Sequence, residues 1–284
     1  MLNPKVIILA IFAVALSFMG CAGPSNAPMQ AKHRKVALHG YVYAKTKTLE
    51  ETVREARELG AEGVVCSASQ KLGGPFKNVK FSVDMTPEQR DFVKKIFAEN
   101  KIEMVSFGIG DLKKGETPDK YLAFCAEMGI PVFTWEGDPQ SAQKWQDAAA
   151  KYGVKVAIHN HEYNPKRLNY VYWNPKYVWE IIKDKPNMYA CADNGHWVRS
   201  GLDVAQGYKN LRGRLAAIHF KDPGDLMSLA KNEKPLGQGA LNLKNCLKVL
   251  DELGYDGFFV LENEQVFDNP TPAMRASIKY LREH

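Results

Sequence analysis

The stretch VAIHNHEYN, residues 156–164, sets His159, His161 and Glu162 at the end of a short apolar run. Imidazoles and a carboxylate at that spacing hold a divalent ion or move a proton; a packed core needs neither. The pattern recurs. Trp135-Glu136-Gly137-Asp138, Asp193-Asn194-Gly195-His196, His219-Phe220-Lys221-Asp222 and Glu262-Asn263-Glu264 each close a comparable run, and four of the seven histidines fall in these places. Asp193, His219 and Glu262 offer one nitrogen and several oxygens, and Glu136 a fourth ligand. Mixed carboxylate and imidazole donors suit Mn²⁺, and also Zn²⁺, Co²⁺ or Mg²⁺. The competing reading for Glu136 is a salt bridge to a loop lysine. Side chains alternate along a strand, so His159 and His161 share one face and Glu162 is expected on the other, unless a loop begins at His161 and turns it inward.

These residues need elements that deliver them to one place. From residue 35 the chain alternates β-branched runs with amphipathic segments: KVALHGYVY then TLEETVREARELG, EGVVCSA, TPEQRDFVKKIFAEN, IEMVSFGIG, and so on to YDGFFVLENE and a last helix over PTPAMRASIKYLREH. Thr48 and Glu51 form a capping box, and Thr86 precedes Pro87 as a cap ahead of a first-turn proline. Gly60, Gly129, Gly153 and Gly254 close helices just before strands, as short αβ turns require. Eight strand–helix units in about 250 residues predict a single (β/α)8 TIM barrel over residues 35–284, whose site lies at the C-terminal strand ends. A doubly wound sheet is the alternative, but HGYVYAKTKT after the first strand has no glycine-rich phosphate loop.

With 45% hydrophobic and 25% charged residues, the 284-residue chain has the composition of a globular protein. Its net charge of +6 is scattered, with no basic stripe for a nucleic-acid groove. The opening MLNPKVIILAIFAVALSFMGCAGPSNAPMQ reads as an export signal over residues 1–21, with Cys21 after Gly20 as a lipidation site and residues 22–34 as a tether. The expected location is the periplasm or a membrane-anchored state, with the lipid at Cys21 as the sole membrane contact. Cys66, Cys125, Cys191 and Cys246 are too widely spaced for a metal or disulfide framework and read as buried hydrophobes.

HNHEYN, ADNGHWVRSGLD, IHFKD and PLGQGALNLKNCLKVLDELGYDGFFVLENE together resemble the sugar phosphate isomerase/epimerase family of xylose-isomerase-like barrels, over roughly residues 35–284. The resemblance implies one metal on Asp193, His219 and Glu262, a substrate-reaching His196 and a substrate-facing Lys221. Glu136, His159 and Glu162 remain candidates for the fourth ligand. It also implies a small carbohydrate substrate and isomerase, epimerase, dehydratase or lyase chemistry. For removal of a proton beside a carbonyl, His161 is the first choice of base, with His159 or Glu262 behind it, while Lys221 and His196 steady charge on oxygen. Trp135 and Trp197 either stack on a sugar or pack the rim; Arg199 binds substrate or pairs with Asp203. Because phosphorylated sugars are mainly cytoplasmic, an exported enzyme points to an unphosphorylated keto-sugar or 3-keto-glycoside. Two rivals are an apurinic endonuclease, which needs more metal ligands and a basic groove, and a non-catalytic sugar-binding lipoprotein, which needs no poised base.

Overall fold

The computed structural model describes residues 32–108, 112, 115–226, 232–263, 265 and 269–284. The export signal, Cys21, most of the tether and Glu264 lie outside the described residues. Among the described residues no helix is long and apolar enough to cross a membrane.

The strands are β1 (Val36–His39), β2 (Gly63–Cys66), β3 (Glu103–Gly108), β4 (Val132–Trp135), β5 (Lys155–His159), β6 (Met188–Asp193), β7 (Leu215–Phe220), β8 (Asp222–Pro223), β9 (Glu233–Lys234) and β10 (Phe259–Leu261). Eight of them close a parallel barrel in the order β1-β10-β7-β6-β5-β4-β3-β2, and β8 and β9 form a small antiparallel pair at its rim. The helices are α1 (Gly40–Tyr43), α2 (Leu49–Leu59), α3 (Pro87–Asn100), α4 (Pro118–Met128), α5 (Ala142–Tyr152), α6 (Pro175–Ile182), α7 (Asn194–Arg199), α8 (Val204–Asn210), α9 (Leu243–Glu252) and α10 (Thr271–Glu283). The expected TIM barrel is therefore present, as a single domain. Its local signals act as read: Thr48 and Glu51 cap α2 reciprocally, Thr86 and Gln89 do the same for α3, and Gly60, Gly129 and Gly153 end helices with positive φ. The four described cysteines are free and buried.

Two boundaries differ from the sequence expectation for the same reason. The apolar run from residue 35 reads as extended through Tyr43, and the sixth run as ending in Asp193-Asn194-Gly195-His196. Instead β1 stops at His39 and β6 at Asp193, because each of these side chains caps a helix that starts at once. His39 Nδ1 accepts from Tyr41 N–H at 3.1 Å, and Asp193 Oδ1 from His196 N–H at 3.1 Å. The barrel's attachments also begin earlier than residue 35. Arg34 is buried and donates to both carboxylate oxygens of Asp251, at 2.9 and 2.8 Å.

The barrel interior explains how a site arises. Apolar inward positions form two clusters, one of Ala37, Val65, Val105 and Val260 and one of Val132, Ala157, Cys191 and Ala217. Because the strand period is two, the next inward positions are His159 above Ala157, Asp193 above Cys191, His219 above Ala217 and Glu262 above Val260. The layer that caps the apolar core is therefore polar, and it lies at the C-terminal strand ends.

Candidate metal centre and active site

One donor atom from each of His159, Asp193, His219 and Glu262 lies within 4.8 Å of every other, and all four residues are buried. His159 Nε2 and His219 Nδ1 each lie 3.6 Å from Asp193 Oδ2, and His219 Nδ1 lies 2.8 Å from Glu262 Oε2. These inward-facing atoms have no well-aligned hydrogen-bond partner among the described residues. Unsatisfied buried polar atoms are costly, and a divalent cation satisfies two imidazoles and two carboxylates together. The donor set therefore fits a metal.

Its supports are equally specific. Asp193 is divided: Oδ1 caps α7 while Oδ2 faces the cluster. Asn160 Nδ2–H donates to Asp193 O at 3.0 Å, and Asp193 N–H donates back to Asn160 Oδ1 at 2.9 Å. Asn194 makes the same reciprocal pair with the Lys221 backbone, at 3.0 and 2.8 Å. Each asparagine amide extends the ladder one step beyond the strands and fixes where Asp193 and Lys221 leave the barrel. Lys221 Nζ reaches Asp193 Oδ2 at 2.8 Å and Glu262 Oε2 at 3.2 Å. Gly195 makes room for it, since a Cβ there would lie 2.7 Å from Lys221 Cδ.

Glu136 stands beside this cluster. Its Oε1 is 2.8 Å from His159 Nδ1, 2.6 Å from His161 Nδ1 and 3.1 Å from the Tyr170 hydroxyl, which donates to it. A carboxylate oxygen only accepts, so both imidazoles carry hydrogen at Nδ1 and turn Nε2 elsewhere. For His159 that is toward Asp193. Glu136, His159 and His161 could also hold an ion as a group; in this structure Glu136 bonds to both rings. Among the three fourth-ligand candidates, it is His159 that shares the four-residue cluster.

The electrostatics follow from burial and charge. Burial alone would raise the Glu136 carboxyl, but the two imidazoles hold it down at about 2. Burial alone would lower His159, yet Asp193 and Glu136 lift it to about 10. Burial opposes the charge on Asp193 and on Glu262, and the neighbouring cations still keep both well below the usual carboxylate range. His39 stays neutral, pushed down to about 3 by burial; its ring meets His219 edge-on at 4.9 Å.

Glu162 corrects the alternation argument. β5 stops at His159, so Asn160, His161 and Glu162 belong to the following loop and need not alternate. The Glu162 carboxylate turns in to lie 2.5 Å from His196 Nδ1, which holds it at about 2. His161 and His196 thus each lean on a carboxylate of their own, with ring centres 4.7 Å apart.

Three expected substrate contacts are relocated. Trp135 is fully buried against Trp145 and Tyr172, because it follows Thr134 and so takes the outward face of β4. Trp197 is buried against Tyr208 on α8. Neither presents a ring to a sugar. Arg199 forms a buried ion pair with Glu233 of β9 and lies 3.1 Å from His196 Nδ1, whereas Asp203 caps α8 through Gln206 N–H. Sequence reasoning also passed over His39, Tyr170, Glu233 and the two asparagines. Only His39 carried a signal, as a histidine within the first apolar run; Tyr170 and Glu233 reach the site from a loop and a rim strand, and the asparagines act on backbone groups.

Comparison with known proteins agrees with this architecture. The family model of the xylose isomerase-like TIM barrel matches residues 53–284. Inosose dehydratase of Clostridium perfringens is 22% identical over 230 residues, covering 72% of this chain and 74% of that one. A solved structure of an uncharacterised protein from Parabacteroides distasonis superposes with a TM-score of 0.69 at 26% identity, covering 88% of this chain and 98% of the other. The IolI protein, solved with a bound zinc atom, superposes at 0.68 with 15% identity over 88% of this chain and 98% of its own.

Proposed function

Because the chain belongs to the xylose isomerase-like TIM-barrel family, we propose that it is a divalent-metal-dependent enzyme of the isomerase or epimerase type, which removes the proton next to the carbonyl of an unphosphorylated keto-sugar. The observation that carries this reading is the buried His159–Asp193–His219–Glu262 cluster with the His161–Glu136 pair beside it. We assign Mn²⁺ to the cluster, with Zn²⁺, Co²⁺ or Mg²⁺ as alternatives. Once bound, the ion supplies Lewis acidity to a carbonyl and its neighbouring hydroxyl.

The chain's own residues supply the rest. His161 is partly exposed and oriented by Glu136, so Nε2 is its free basic atom. Lys221 and His196 face the same centre and meet negative charge that develops on substrate oxygen. Return of the proton to the adjacent carbon isomerises the sugar; return to the opposite face epimerises it.

A second reading is β-elimination, as a lyase or hydratase acting on a 3-keto-glycoside. The adjacent His161–Glu136 and His196–Glu162 pairs favour it, since one imidazole takes a proton while its neighbour protonates a departing oxygen on the next carbon. The dehydratase named among the relatives is consistent with this route. The test is metal analysis followed by proton exchange from solvent deuterium into candidate keto-sugars. Exchange is expected with Mn²⁺ and lost on chelation; exchange that survives exhaustive chelation overturns the proposal. We further propose export and anchoring at Cys21, on the strength of the amino-terminal sequence. Labelled palmitate is expected in the wild-type protein and absent from Cys21→Ser; label in neither removes the anchor.

A further inference from the structure

Resting on the keto-sugar reading above, we propose that a cleft beside the metal centre is a subsite for a second sugar ring, so that the substrate is of disaccharide rather than monosaccharide size. The cleft has a volume of about 910 Å³ and runs between the loop after β4 and residues 166–172. That is the upper end of the range in which proteins enclose small molecules, and more than one hexose fills. Glu136 belongs to both cleft and centre, because it lines the former and holds His159 and His161 of the latter.

The lining is chemically suited to a neutral, hydroxylated ring. Glu136 and Asp138 balance Lys166 and Arg167 in charge, so neither an anion nor a cation is selected. Leu168, also in the lining, is 84% exposed. It offers the C–H face of a sugar the apolar contact that the buried Trp135 and Trp197 do not.

The cleft is also coupled to the proposed base. The Arg167 guanidinium lies 4.2 Å over the Tyr170 ring. The hydroxyl of that ring donates to Glu136 and accepts the His161 backbone N–H at 2.6 Å. A second ring that rests on Arg167 therefore steadies the loop that carries His161. Binding energy from a remote part of a substrate acts in this way when it positions the reacting groups.

The experiment measures dissociation constants by calorimetry for 3-keto-glucose and 3-keto-maltose, on Zn²⁺-loaded protein in which His161→Ala prevents turnover. The disaccharide is expected to bind at least tenfold more tightly. Adding Arg167→Ala and Leu168→Ser, both at exposed loop positions, is expected to erase the preference. Equal affinities in the parent, no binding of either sugar, or a preference that survives the loop substitutions would overturn the subsite. If the preference holds while wild-type protein exchanges no proton in either sugar, the catalytic reading fails and the subsite stands.

Discussion

At the residue scale, the proposed centre turns on which carboxylates would touch a metal and which would orient its ligands. Asp193 puts Oδ2 into the cluster and uses Oδ1 to cap α7. Glu136 reaches the centre only through imidazoles. Substituting each therefore has a different signature. Asp193→Asn is expected to abolish metal binding and activity together. Glu136→Gln is expected to keep the metal at saturating concentration, with a roughly 10–100-fold loss in affinity or activity. Metal content by atomic emission, measured beside turnover, separates the two. A Glu136→Gln protein that is as metal-free as Asp193→Asn would make Glu136 a direct ligand.

At the element scale, strand parity decides most of the outcome. Two-residue steps from Ala157, Cys191, Ala217 and Val260 place four chemically able side chains in one layer, and that parity was legible in the sequence. Three things were not. The strand ends at His39 and Asp193 depend on side-chain hydrogen bonds rather than on periodicity. The Arg199–Glu233 pair joins a short helix to a rim strand that has no pattern of its own. Tyr170 arrives from a loop. The loop motif PLGQG proves to be structural: Asp222 accepts backbone N–H groups from Gly237, Gly239 and Leu241, at 2.8 to 3.1 Å. Trp197 likewise belongs to the packing of α7 on α8. Trp197→Ala is expected to cost about 3–5 kcal/mol of unfolding free energy. The loss should appear as a lower melting temperature; a raised KM at unchanged melting temperature would return Trp197 to the substrate site.

At the scale of the whole molecule, the ring is closed by pairing the first strand with the last, and ionic contacts secure the seam. Arg34, just before β1, clasps Asp251 at the end of α9. Its hydrogen bonds hold the Asp251 carboxyl below its ordinary value. A carboxyl depressed by folding adds stability above its unfolded pKa, about 3.9, and that contribution is lost as pH falls through the folded value. Wild-type protein is therefore expected to exceed Asp251→Asn in stability by a constant margin at neutral pH, and the margin should shrink below about pH 4. Urea midpoints across that range measure it; a margin that persists unchanged at pH 2 would assign the loss to something other than ionisation.

The same seam sets an order on the life of the molecule. β10 lies between β1 and β7, and Glu262 stands just beyond it, ahead of the closing helix α10 (Thr271–Glu283). A chain still being made therefore has three of the four cluster residues but neither the last stave nor the last carboxylate. The four cluster residues come together only when β10 pairs with β1 and β7, so a bound ion would mark a barrel that has closed.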